Sequence, residues 1–155
     1  MKIAIASDHR GYTAKEHLKK WLAEKTHEVE DFGTDSPASC DYPDISYRAS
    51  KSVQSGRNEC GILICGTGIG TSIAANKVLG IRGALCHDEL TAELARRHND
   101  GNVLCLAADL TGEQLIHRIV EVWLNTPFDG GRHDRRLKML LDIERSERNS
   151  DPLEK

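Results

Sequence analysis

Five short apolar runs, separated by longer stretches of mixed polarity, set the tightest limit on how this chain of 155 residues folds. They are KIAIAS (Lys2 to Ser7), HEVEDF (His27 to Phe32), GILIC (Gly61 to Cys65), RGALC (Arg82 to Cys86) and NVLCLAA (Asn102 to Ala108). Runs of this length read as strands, and strands that alternate with helices build a parallel sheet covered by those helices. The first, third and fifth runs are almost continuously apolar, as strands buried on both faces are. Between the runs, YTAKEHLKKWLAEK puts Leu18, Trp21 and Leu22 on one helical face, and GEQLIHRIVEVWL repeats the pattern with Leu115, Ile119, Val122 and Trp123. The longest irregular stretch, GTDSPASCDYPD from Gly33 to Asp44, has the length of loops that carry function. A sixth helix is expected from the Gly130-Gly131 pair to about Arg148, with a polar tail over 149–155. A chain of about 150 residues buries roughly two thirds of its unfolded surface, enough for one domain, here residues 1–148. The expected architecture is a three-layer α/β/α, Rossmann-like or flavodoxin-like domain: a five-stranded parallel sheet with an extra C-terminal helix.

Charge and cysteine usage remove several functional classes. The formal net charge is −3, from 21 basic and 24 acidic residues spread along the chain, so neither nucleic acid nor an anionic membrane is an expected partner. The N-terminal apolar run meets Asp8 and His9 too early for a signal peptide, and no segment approaches the roughly 20 apolar residues that span a bilayer. A cytoplasmic protein is expected. Cys40, Cys60, Cys65, Cys86 and Cys105 are odd in number and hold no C-x-x-C pair, which points to reduced thiols and to no metal site.

In an open α/β sheet, ligands bind beyond the carboxyl ends of the strands. That rule picks out Asp8-His9 after the first run, Cys65 with its glycines after the third, and His87-Asp88 after the fourth, whose helix then ends at His98-Asn99-Asp100. Gly66, Gly68 and Gly70 allow successive backbone N–H groups to converge on an anion at a helix start. The Walker A pattern fails because no Gly-Lys-Ser/Thr follows. The dinucleotide fingerprint fails because Thr71 stands at the third glycine, and Asp88 is wrongly spaced for its ribose contact. A purely structural turn is the plain alternative. Cys65 stands at a strand end beside a helix start, where a thiolate is favoured, yet free cysteine is also a common core residue and Cys60, Cys86 and Cys105 read as that. His9 and His98 are either proton shuttles or satisfied structural histidines, and Asp8 either binds ligand or caps the next helix. Arg132 and Arg136, four apart on the last helix, can grip one phosphate; with Arg135 and Lys138 beside them they also suit a solvated basic face.

Taken in order, SDHRGY, DYPD, ICGTGIGTSIAANK, GIRGALC, RRHNDGNVL and PFDGGRHDRR resemble the ribose-5-phosphate isomerase B family, which also holds galactose-6-phosphate and allose-6-phosphate isomerases. The resemblance runs from Met1 to about Glu144. It implies a homodimer, or a tetramer, that converts D-ribose 5-phosphate to D-ribulose 5-phosphate in the pentose phosphate pathway without metal or cofactor. Carried over, Cys65 is the proton-abstracting base, His98 opens the sugar ring, and Thr67 with Gly66, Gly68, Ile69 and Gly70 holds the enediolate. Asp8, His9, Tyr42 and Asn99 meet the sugar, and Arg132 and Arg136 hold the phosphate with His9 near it. The resemblance also implies that His98, Asn99 and the arginines reach each site from the partner subunit. Some members of the family use a glutamate elsewhere as base. One of the unlike subunits of galactose-6-phosphate isomerase lacks the cysteine, and the other lacks the GGRH pattern; this chain has both, which favours a self-sufficient homodimer. The competing readings are a six-carbon sugar-phosphate isomerase and a non-catalytic module that binds a sugar phosphate or nucleotide.

Overall fold

The computed structural model describes residues 1–149. Strands β1 (Lys2–Ser7), β2 (Glu28–Asp31), β3 (Cys60–Cys65), β4 (Gly83–Leu85) and β5 (Val103–Ala107) form one parallel sheet in the order β2-β1-β3-β5-β4. Each lies where an apolar run stands, within one residue at either end. The helices are α1 (Tyr12–Glu24), α2 (Tyr42–Gln54), α3 (Ile69–Ala75), α4 (Glu89–Asn99), α5 (Glu113–Asn125) and α6 (Arg132–Asn149). The three nearly continuous apolar runs are the three inner strands. β4, at the edge, has only three residues, a length that leaves little unpaired backbone open to another chain.

Alternation along each strand divides the core between two faces. Ile3, Ile5, Ile62, Ile64, Leu104 and Leu106 meet Leu18 and Leu22 of α1, Ala92 and Ala95 of α4, and Ile116, Ile119 and Trp123 of α5. Ala4, Ala6, Leu63, Val103 and Cys105 meet Ile45, Ala49 and Val53 of α2 and Ala75 of α3. Each isoleucine or leucine so buried contributes about 1.5–3 kcal/mol of transfer free energy, which favours this register over its one-residue slip. No helix among the described residues is long and apolar enough to cross a membrane.

The stretch from Gly33 to Asp44 is shorter as a loop than its composition implies, because Tyr42, Pro43 and Asp44 form the first turn of α2. Proline's fixed φ and missing N–H suit a first turn, and an acidic residue there complements the helix dipole. At the other end α6 runs through Asn149, so the polar tail expected over 149–155 lies, after its first residue, outside the described residues.

From β1 the chain goes to one side for β2 and then to the other for β3, making the β1/β3 boundary the topological switch point. A crevice opens beyond the carboxyl ends of strands at such a point. Asp8-His9 and Cys65 to Gly70 follow those two strands.

Candidate active site

Asp8 is buried and its backbone N–H donates to Ile64 O at 3.2 Å, tying the end of β1 to the end of β3. Its Oδ1 accepts the N–H groups of Arg10 at 2.9 Å and Gly11 at 3.1 Å, so the side chain shapes the turn into α1. A Cβ on Gly11 would stand 2.7 Å from the Ile64 carbonyl oxygen, which leaves glycine as the residue that lets α1 start this close to β3. His9 is half-buried, with Nδ1 3.3 Å from both the backbone N and O of Cys40; the loop before α2 therefore orients it.

Cys65 closes β3 and is 4% exposed. Its Sγ accepts the N–H of Gly68 at 3.1 Å and lies 3.5 Å from Thr71 Oγ1, whose hydroxyl donates to Gly68 O at 3.0 Å. A backbone N–H aimed at sulfur stabilises a thiolate. Burial pushes the Cys60 and Cys86 thiols up to about 12 and about 11, and raises that of Cys105 as well. Those three stay protonated at neutral pH, as core residues do.

The three glycines after Cys65 serve different ends. Gly68 alone has a left-handed backbone, at φ +72°, and it precedes the first turn of α3. Gly66 is needed because an ion pair lies on it: Arg10 Nε donates to Asp109 Oδ2 at 2.6 Å, and a Cβ on Gly66 would come within 2.9 Å of that nitrogen. Gly70 is needed because the Tyr42 ring packs there, 2.6 Å from where its Cβ would be. Thr67 is exposed and accepts the N–H of Ile69 at 3.3 Å, and Ile69 itself is 52% exposed. Asp8, His9, Tyr42 and the stretch from Cys65 to Gly70 thus share one end of the sheet.

The remaining expected site residues lie at the other end. Helix α4 starts at its cap, Asp88, just past β4 and runs back to Asn99 before β5 begins. Arg82, which precedes β4, donates from Nε to the carbonyls of Asn99 at 3.0 Å and Asp100 at 2.8 Å. His98 stacks on His133 of α6, and Asp129 N–H donates to Arg97 O at 3.0 Å, so the start of α6 with Arg132 is pinned beside the end of α4. Arg132 and Arg136 are both exposed and one helical turn apart. The intervening strands, β3 and β5, have six and five residues, about 16–20 Å at roughly 3.3 Å each. That separation is too long for a proton to pass directly between Cys65 and His98 within one chain.

Asp88, tempting as a ribose ligand, is the N-cap of α4: it accepts Thr91 N–H at 2.7 Å in a reciprocal capping box. Local sequence reasoning missed Thr71, Arg10, Asp109 and His133. The strand-end rule could have found Asp109, which follows β5 and donates its N–H to Gly66 O at 3.0 Å. Thr71 carries no such signal, because along the sequence it only breaks the G-x-G-x-x-G spacing.

A doubly wound α/β sheet with a thiol over a glycine turn at its switch point places the chain among the α/β proteins that bind a small molecule beyond their strand ends. The family model described as Ribose/Galactose Isomerase matches residues 3–140. The chain is 43% identical over 143 residues to ribose-5-phosphate isomerase B of Escherichia coli (strain K12), covering 92% of this chain and 96% of that protein. Its fold superposes on ribose-5-phosphate isomerase B of Clostridium thermocellum with a TM-score of 0.94 at 46% identity, covering 95% and 99% of the two chains. The Mycoplasma genitalium enzyme, solved with bound ribulose 5-phosphate, aligns at a TM-score of 0.89 and 41% identity over 93% of this chain and 96% of that one. The chain belongs to the ribose/galactose isomerase family.

Proposed function

We propose that this chain interconverts D-ribose 5-phosphate and D-ribulose 5-phosphate, using Cys65 as the base, in a homodimer whose two sites each take residues from both subunits. The observation that carries the reading is the near full-length identity with ribose-5-phosphate isomerase B, together with Cys65 at the switch point under the Gly68 N–H. Aldose–ketose isomerisation removes a weakly acidic proton from C2, returns it at C1, and passes through an enediolate. The Cys65 thiolate takes the C2 proton and the resulting thiol gives it back at C1, so the enzyme ends as it began. Backbone N–H groups of the Gly66 to Gly70 turn other than that of Gly68, which faces Cys65 Sγ, stabilise the oxyanion together with Thr67. Tyr42 and Ile69 flank that turn, and Asp8, His9 and Asn99 bind sugar hydroxyls.

A pentose phosphate is mostly a closed ring, and His98 transfers the proton that opens it. Arg132 and Arg136 hold the phosphate with charge-assisted hydrogen bonds, and that remote binding orients the reacting carbons. Two observations favour shared sites. His98, Asn99 and the arginines stand at the opposite end of the sheet from Cys65. Apolar side chains are also exposed on a single chain: Ile69 and Ile73 on α3, Met139, Leu140 and Ile143 on α6.

The test is ribulose 5-phosphate formation from ribose 5-phosphate, followed by subunit mixing. Cys65→Ala and His98→Asn homodimers are each expected to be inactive. A mixed dimer regains one whole site, so statistical exchange returns about a quarter of wild-type activity if sites are shared across a two-fold. No recovery on mixing overturns the shared site, and an active Cys65→Ala homodimer overturns the base. An inactive wild type overturns the substrate.

A further inference from the structure

One buried side chain touches two of the residues given roles above. His133, the second residue of α6, is 5% exposed. Its ring lies flat on that of His98, with centroids 4.4 Å apart and planes 7° from parallel. Its Nε2 is 3.3 Å from Arg132 Nε. A guanidinium only donates, so Nε2 accepts and the ring carries its proton on Nδ1.

The charges around His133 agree with a neutral ring. His98 faces it from α4, Arg132 and Arg136 from its own helix, and Asp129 from the segment before. Burial first, then His98 and the two arginines, lower its affinity for a proton, and Asp129, the smallest of these influences, opposes them. Asp129 is itself claimed by Arg97, whose Nε lies 3.1 and 3.2 Å from its two carboxylate oxygens. Ligand atoms of His98, Asp129 and His133 do fall within 4.8 Å of one another. In stacked rings, however, the nitrogen lone pairs run side by side in parallel planes, and one of them is taken by Arg132. The arrangement is built to hold side chains rather than to chelate.

We infer that His133 is a positioning residue that uses one ring for two tasks: its face sets the plane of the ring-opening His98, and its Nε2 sets the heading of the phosphate-binding Arg132. The inference rests on the roles proposed above for His98 and Arg132. A free arginine loses much side-chain entropy when it closes on a phosphate, and an acceptor that holds it beforehand removes part of that cost.

The two tasks separate by substitution. His133→Phe keeps a flat ring against His98 but has no acceptor. His133→Gln keeps an acceptor but has no ring. With ribose 5-phosphate, the phenylalanine variant is expected to raise KM about fivefold, and the inhibition constant of inorganic phosphate equally, with kcat within about twofold; one ordinary hydrogen bond is worth that much. The glutamine variant is expected to lower kcat about tenfold at nearly constant KM. A purely structural residue would move both constants together in both variants, and that result overturns the inference, as does no change in either.

Should the variants fail to fold, ring nitrogen shifts of wild-type His133 by nuclear magnetic resonance decide the matter. A neutral ring protonated on Nδ1 at pH 7.5 supports the inference, and a cation or the opposite tautomer overturns it. An inactive wild type would sink the proposed substrate instead; the tautomer, and calorimetric phosphate binding by His133→Phe against wild type, would still test the positioning.

Discussion

Replacing Gly68 by alanine tests how closely the turn under Cys65 is packed. At φ +72° an L-residue in the left-handed region costs about 1–2 kcal/mol. The new Cβ also meets Leu85 Cδ1, which can swing aside, and stands 3.0 Å from the Leu106 carbonyl carbon, which as inner-strand backbone cannot. Overpacking of that kind adds about 1–3 kcal/mol, for a sum of about 2–5 kcal/mol. Gly80 supplies the control, because its φ is +73° and a Cβ there meets nothing within 4 Å. Gly80→Ala is therefore expected to cost only the conformational part, about 1–2 kcal/mol. Any gain from stiffening the unfolded chain is shared by both variants and cancels in their difference. Urea unfolding at one fixed protein concentration reads that difference, expected at about 1–3 kcal/mol. Turnover should divide the variants further. A shift of the Gly68 N–H, 3.1 Å from Cys65 Sγ, is expected to cost at least about tenfold in kcat, with Gly80→Ala near wild type. If the two variants unfold within about 0.5 kcal/mol of each other, the close approach of Gly68 to β5 does not constrain the turn, and the reasoning fails.

Three further outcomes follow from the same geometry. Gly70→Ala drives a Cβ to 2.6 Å from the Tyr42 ring, which is 38% exposed and free to swing out; stability should change by less than about 1 kcal/mol while KM for ribose 5-phosphate rises several-fold. Lys15 is fully buried and pairs with Asp31 and, at 3.0 Å, with Glu16. Lys15→Met, measured by urea unfolding, should cost about 2–3 kcal/mol, below the range for a fully buried pair because Lys19 remains 2.6 Å from Asp31. Burial of Asp31 raises its pKa, but hydrogen bonds from Lys15, Lys19 and the Gly33 N–H outweigh that and hold it below the ordinary 3.8. Its contribution is therefore fully present above pH 3.8 and is lost as pH falls through the lower, folded-state value. Unfolding free energy measured down through that window should fall less steeply in Asp31→Asn than in wild type.

The fold was largely legible because its signals are local. Three nearly continuous apolar runs announced three inner strands, and the strand-end rule put Asp8, His9 and Cys65 at the carboxyl ends of two of them, though not side by side at one crevice, which the sheet order supplies. The start of α2 was less legible, since DYPD reads as a turn until Pro43 is seen to occupy the first helical turn. Of the site, the glycine spacing was visible but not its reasons. Gly68 is there for its backbone angle, whereas Gly66 and Gly70 are there because Arg10–Asp109 and Tyr42 lie against them.

By itself the sequence determined the alternation of strands and helices, the buried faces of α1 and α5, and the thiol and glycines at a strand end, because backbone preference and hydrophobic period act over a few neighbouring residues. Only the tertiary structure decided that the sheet runs β2-β1-β3-β5-β4, that Arg10 pairs with Asp109 across 99 positions, and that His98 stacks on His133. It also decided that the groups around Cys65 and around His98 stand at opposite ends of one sheet. Those facts depend on which strands become neighbours and which way each helix returns, and such long-range pairings leave no periodic trace along the chain.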